Sequence, residues 1–124
     1  MEPTLARPTA AMLVRISALG GTAMAAIRFA GKPLPPTSLA MACGLLSAAA
    51  LTLMIYSACA VRLPGRALRA LLFLMVAAGG GVFLNLNFHF KQLPLPKWPI
   101  MVHAGAALIG FLLLLSATGS ASWV

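Results

Sequence analysis

Two histidines, His89 and His103, are the side chains in this sequence best suited to binding a cofactor. Trp98 lies between them, and all three flank a Pro-rich turn between two apolar stretches. Histidines near a membrane surface can ligate a b-type haem, and a histidine beside a tryptophan can hold a quinone headgroup. His89, His103 and Trp98 are therefore the candidate cofactor-binding residues, with haem b or quinone as the ligand.

The same three residues also have a structural interpretation. His89 would lie among lipid headgroups, His103 would hydrogen-bond a neighbouring helix, and Trp98 would belong to the aromatic belt. A bis-histidine haem needs opposed imidazoles, and the spacing of His89 and His103 is not an established signature for that arrangement. We prefer the structural interpretation and expect no cofactor, with haem or quinone binding as the alternative.

No other set of residues suggests catalysis or a metal site. Glu2 is the only carboxylate side chain, which excludes paired-carboxylate chemistry and carboxylate proton relays within this sequence. Cys43 and Cys59 would lie about 24 Å apart on one helix, too far for a disulfide. No nucleophile comes with a base, and neither a phosphate-binding loop nor a Cys/His metal spacing occurs. We predict a protein without enzymatic activity.

The composition indicates a protein that lies in a lipid bilayer. The sequence is 61% hydrophobic and 8% charged, with a mean hydropathy of +0.99, whereas soluble domains carry about 25% charged residues. The net charge of +8 comes from cations spread singly along the chain, so it does not predict nucleic-acid binding. Anchoring at anionic lipid headgroups fits better, and the expected interface anchors are Arg62, Arg66, Arg69, Lys91 and Lys97.

Four apolar stretches are each long enough for a helix to cross a hydrocarbon core, which takes about 20 residues. They cover approximately 9–29, 37–61, 67–88 and 98–117, and Pro- and Gly-containing turns separate them. Residues 1–8, which include Arg7, are predicted to form a short polar lead before the first span. The predicted fold class is therefore all-α: residues 1–124 form a single transmembrane domain, an integral membrane four-helix up-down bundle.

A shift of 59 residues aligns the two halves of the sequence. It pairs Phe29 with Phe88 and the Lys32-x-Leu34-Pro35 turn with Lys91-x-Leu93-Pro94, and it keeps a double glycine in register. We interpret this as two tandem transmembrane hairpins, repeat one at about 9–61 and repeat two at about 67–118. An even number of spans per unit makes it a parallel repeat rather than an inverted one.

The repeat shows which residues belong to one copy only. His89 corresponds to Ala30 and His103 to Gly44, so both histidines occur only in the second copy. Asn85 and Asn87 are also confined to it, and they are expected to help the chain leave the bilayer. The second hairpin is therefore where a function is most clearly indicated.

In every span, small residues recur at intervals of four. This spacing lets membrane helices pack closely against each other. The patterns are Ser17-x3-Gly21-x3-Ala25, Ala40-x3-Gly44-x3-Ala48, Ala77-x3-Gly81 and Ala106-x3-Gly110. The first span also carries Arg15 and Arg28, which we interpret as snorkelling anchors. Pairing with a neighbouring subunit's carboxylate is the alternative for these two arginines.

These observations predict a multi-pass protein of the cell membrane, in a bacterial cytoplasmic membrane. The cations are nearly balanced between the two sides, and the tight cluster in the central loop favours termini on the inside. The predicted function is a non-catalytic subunit that anchors, packs or stabilises a larger membrane complex, with an energy-transducing complex among the candidates. The alternatives are a haem- or quinone-binding electron-transfer subunit and a small homo-oligomeric channel, whose lining can be neutral.

Overall fold

Four long helices make up the fold in the computed structural model, which describes residues 3–31, 36–94 and 96–119. Helix α1 covers Pro3–Phe29, α2 Thr37–Ala60, α3 Gly65–Leu84 and α4 Lys97–Gly119. A π-helical turn, Asn85–His89, continues α3. Each helix contains a segment long and apolar enough to cross a membrane. The prediction of an all-α chain with four candidate spans, typical of a multi-pass membrane protein, is confirmed.

The helix ends follow the local sequence with one exception. Pro36 and Pro64 immediately precede α2 and α3, where a missing N–H costs nothing. The sequence predicted a polar lead before a first span at residue 9, whereas α1 begins at Pro3 and includes Pro8. Ala6 is fully buried in the bundle, and this packing stabilises a helical turn that local propensity disfavours.

The helices pair as two hairpins. α1 packs along α2 and α3 along α4, and the contacts of α1 with α4 and of α2 with α3 are less extensive. Within the first hairpin Ser17 meets Cys43 and Ser47, and within the second His103 meets Ala77. The predicted turn at Lys32, Leu34 and Pro35 lies outside the described residues, and the duplication of the hairpins stays a prediction.

The shared core lies in one half of the bundle, beside the central loop between α2 and α3. Its buried cluster draws on all four helices: Ala10, Ala11, Ala50, Met54, Ala70, Leu71, Leu74 and Leu114. In the described part of the opposite half only Cys43, Ala77 and Pro99 are buried. The two hairpins therefore share a core at the end with the central loop and pack mainly within themselves toward the two hairpin turns.

Large apolar side chains cover the outside of the helices. Leu19, Val76 and Met101 are each more than 60% exposed. In the apolar 18-residue segment of each helix, no more than 28% is buried within the chain. A soluble protein could not keep such surfaces in water. They suit helices that are surrounded by lipid or by other membrane helices.

Candidate functional site

His103 lies at the interface between α3 and α4, where glycines make room for its ring. Its Nδ1 is 2.7 Å from the carbonyl oxygen of Ala77 on α3. A Cβ placed on Gly81 would come 3.2 Å from His103 Cε1, and one on Gly80 would come 3.5 Å from Nδ1. Because α3 has glycine at both positions, the imidazole fits against its backbone. The structural interpretation predicted such a hydrogen bond to a neighbouring helix.

The bond to Ala77 determines the tautomer of the His103 imidazole. A backbone carbonyl oxygen can only accept a hydrogen bond, so Nδ1 must carry the proton. In the neutral ring Nε2 then holds the lone pair. An Nδ1–H donated to a backbone carbonyl is also the arrangement that orients metal-ligating histidines. Chemically, Nε2 of His103 can accept a hydrogen bond or coordinate a metal.

The structure does not bring Trp98 next to His103. The two residues are five apart on α4, so they project about 140° apart around the helix axis. Trp98 is 70% exposed, and its assignment to the aromatic belt stays a prediction. Its neighbour Lys97 turns toward the first hairpin, with Nζ 5.5 Å from the centre of the Phe29 ring.

His89 lies at a different level of the second hairpin from His103. It is the last residue of the π turn, eight residues or about 12 Å beyond Gly81, which packs on His103. The side chain of His89 is outside the described part of the chain. Its role as a cofactor ligand therefore stays a prediction, as does that of His103.

The π turn rearranges the end of α3 that the two asparagines occupy. Phe90 N–H donates to the Asn85 carbonyl at 2.7 Å, the i to i−5 bond of a π-helix. Asn87 Nδ2 donates back to the Phe83 carbonyl at 3.0 Å. Single π turns are frequent at functional sites, and the sequence reading did not predict this one.

A cavity of about 270 Å³ opens beside the π turn. It lies between α2 and the second hairpin, and its lining consists of Thr37, Met41, Asn85, Phe90 and Gln92. Gln92 has a φ of 54°, in the left-handed region that residues other than glycine rarely adopt. The cavity therefore brings Asn85 together with residues of the first hairpin, and His103 is not among its lining residues.

The cationic anchors lie at both ends of the bundle. Arg62, Arg66 and Arg69 are exposed around the central loop, where Arg69 Nε donates to the Gly65 carbonyl at 3.4 Å. Lys91 and Lys97 are exposed at the turn of the second hairpin. Their positions suit contact with headgroups on the two membrane surfaces, and their role as lipid anchors stays a prediction.

Buried polar atoms lie at the central-loop end, where the sequence pattern did not predict them. The Oγ of Ser57 and the Nε and Nη1 atoms of Arg7 are buried without a hydrogen-bond partner among the residues that the structure describes. Arg7 was assigned to a polar lead outside the membrane span. The small residues Ala6, Ala10 and Ala11 recur around Arg7 at helical spacing. This pattern is the sequence signal that indicates a position for Arg7 inside the bundle.

The first hairpin has a polar contact of its own at mid-helix. Ser17 Oγ lies 2.8 Å from Ser47 Oγ and donates to the Cys43 carbonyl at 3.2 Å. Cys43 is buried at this contact. Both serines thus satisfy their hydroxyls within the hairpin.

Among the described residues, no three histidine, cysteine or carboxylate side chains come together around a common point. The chain matches no protein-family model, no curated protein sequence and no solved structure.

Proposed function

We propose that this chain is a non-catalytic integral membrane subunit that anchors, packs or stabilises a larger membrane complex. Its four spans would form an up-down bundle of two tandem hairpins in the same orientation. The membrane would be a bacterial cytoplasmic membrane, with the termini on the inside.

The observation that carries this proposal is the face of α2 around Gly44. A Cβ added to Gly44 would meet no atom within 4 Å, and Ala48, one turn further along, is exposed. Glycine in a helix costs roughly 0.5–1 kcal/mol relative to alanine. Membrane helices offset this cost where glycine lets another backbone approach closely. None of the described residues of this chain fills the space beside Gly44, so a helix of another subunit is the natural occupant.

Native mass spectrometry of the protein extracted from its own membranes in mild detergent tests the proposal. We expect larger chains to co-isolate with it in fixed stoichiometry. Gly44→Ile should remove them, because the added side chain blocks close approach from outside without a clash inside the bundle.

Ala42→Ile is the matched control for Gly44→Ile. Ala42 is exposed on the same helix and projects about 160° away from Gly44, so this variant should retain the partners. A wild-type protein that isolates alone would contradict the proposal, and a homo-oligomer that conducts ions in liposomes would favour a channel instead.

A second candidate is a haem- or quinone-binding electron-transfer subunit, and the orientation of His103 favours it. With Nδ1 donating to Ala77, Nε2 has the lone pair that ligates haem iron or accepts a quinol hydroxyl. The same mass spectra test this candidate. Extra mass equal to haem or quinone that disappears in His103→Ala would support it, and extra mass that persists would contradict a role for His103.

A further inference from the structure

Arg15 is an exposed charge in the interior of the first span. The first candidate span is Leu5–Phe29, which is long enough to cross a hydrocarbon core of about 30 Å. Arg15 lies about 15 Å along the helix axis from Leu5 and about 21 Å from Phe29. It is exposed, and it makes no hydrogen bond or ion pair with any described residue.

The second hairpin shows why Arg15 is not accommodated within the bundle. At the 59-residue spacing its counterpart is Leu74, which is buried against α4. The absence of a side chain at Gly110 makes space for the Leu74 side chain, because a Cβ on Gly110 would lie 2.9 Å from Leu74 Cγ. The counterpart of Gly110 in α2 is Leu51, whose side chain packs against the core. Arg15 therefore has no such groove in its own hairpin and projects outward.

Small residues continue the face of α1 on which Arg15 lies. Ala18, Thr22 and Ala26 follow it at helical spacing and are all exposed. The Thr22 hydroxyl donates to the Ala18 carbonyl at 2.8 Å, so it needs no external partner. A strip of small side chains beside one deeply placed charge allows another helix to approach closely.

We propose that this face of α1, formed by Arg15, Ala18, Thr22 and Ala26, docks a transmembrane helix of a different protein that carries an Asp or Glu at the depth of Arg15. This inference rests on the proposed function as a subunit and specifies the partner's chemistry. A charge deep in a bilayer requires compensation, and a carboxylate pairs with guanidinium through two parallel hydrogen bonds.

A second copy of this chain cannot supply that carboxylate. Glu2 is the only acidic side chain in the sequence and precedes the first span. A symmetric contact of two copies through this face would also bring the two guanidinium groups together. The required charge complementarity therefore comes from a heterologous helix. A lipid phosphate lies at the membrane surface and would have to be drawn inward to the depth of Arg15.

Site-specific photo-crosslinking in the protein's own membranes tests the proposal. A photoreactive p-benzoylphenylalanine replaces Leu19, which is 74% exposed one turn from Arg15, or, as a control, the exposed Leu112 on α4. We expect a crosslink from position 19 to a transmembrane peptide that contains Asp or Glu. Arg15→Leu should reduce it by at least about tenfold, the effect of losing a buried charge pair, whereas Arg28→Leu should retain it.

The decisive step is a charge exchange. Arg15→Asp should abolish the crosslink, and replacing the partner's acidic residue with Arg should restore it. Crosslinks only to lipid, only to a second copy, or to a helix without an acidic residue would overturn the proposal. If larger chains co-isolate with the wild type but position 19 gives no crosslink to a transmembrane peptide, the subunit function stands and docking through Arg15 is wrong; if none co-isolate with the wild type, both fail.

Discussion

At the scale of single residues, the glycines of α3 make space for the ring of His103 in the second hairpin. The run Gly79–Gly81 interrupts an apolar helix at a cost in helix propensity. Gly81 and Gly80 lie against the His103 ring, and His103 Nδ1 is bonded to Ala77 O one turn earlier on α3. The ring therefore cannot move away from an added methyl group without lengthening this hydrogen bond.

We predict that the residue at position 103 decides whether Gly81→Ala lowers or raises the free energy of unfolding. In the wild type it should lower the free energy of unfolding by about 1 kcal/mol, because the methyl group presses on the ring. In a His103→Ala background it should raise that free energy by up to about 1 kcal/mol, since only helix propensity remains. Steric trapping or a detergent titration measures both values.

Gly79→Ala is the control for this double-mutant cycle. Gly79 lies in the same helix, and an added Cβ there meets nothing within 4 Å, so its effect should be the same in both backgrounds. Strict additivity of Gly81→Ala and His103→Ala would contradict the proposed contact, because residues that touch show a coupling energy.

At the scale of elements, the two adjacent glycines of α1 have different roles. A Cβ on Gly20 would overlap Cys43 Sγ on α2, whereas one on Gly21 meets nothing within 4 Å. The double glycine alone could not distinguish them, because both lie in an apolar stretch with small residues on every side. The rotation of α1 against α2 decides which glycine lies at the interface.

Gly20→Ala should therefore separate α1 from α2 and weaken the Ser17–Ser47 contact. We expect it to lower the free energy of unfolding by about 1–3 kcal/mol, the usual effect of overpacking. Gly21→Ala should be neutral or stabilising by up to about 1 kcal/mol. Unfolding titrations of the two variants in the same detergent provide the comparison.

The substitution Cys43→Ala tests whether contact with the Cys43 sulfur causes the loss of stability in Gly20→Ala. Cys43→Ala should restore most of the stability lost in Gly20→Ala, because the clashing atom is gone. Equal effects of Gly20→Ala and Gly21→Ala would show that the hairpin does not have this register.

At the scale of the whole molecule, the uneven core is the main feature. The buried cluster that unites the four helices lies at the central-loop end, and the hairpins contribute few buried residues toward their turns. The turn end holds the π turn and the cavity that Asn85 lines. The half with the shared core thus holds the two hairpins together, and the other half contains the cavity beside the π turn.

The natural cysteines report the orientation of the molecule. Cys59 is exposed beside the central loop, whereas Cys43 is buried. If the termini and the central loop face the inside, a membrane-impermeant maleimide should label inverted vesicles and leave intact cells unlabelled. Cys59→Ser should abolish the labelling and Cys43→Ser should leave it unchanged. Labelling of Cys59 in intact cells would reverse the orientation.

The sequence by itself determined the four spans and their ends. Span length, low charge and the proline- and glycine-containing turns are local properties, and three of the four spans begin within two residues of their predicted starts. Only the start of α1 differed, because the burial of Ala6 is a tertiary effect. The sequence also singled out His103 as a residue that bonds a neighbouring helix.

Only the tertiary structure decided which residues meet. It identified Ala77 as the acceptor for His103, placed Gly20 rather than Gly21 at an interface, and left Arg15 exposed. These contacts depend on how each helix is rotated about its axis. In a soluble protein the polar and apolar faces encode that rotation, but here most residues on each helix are apolar, so the contrast between faces is weak. Close packing around small residues decides it instead, and packing becomes visible only in three dimensions.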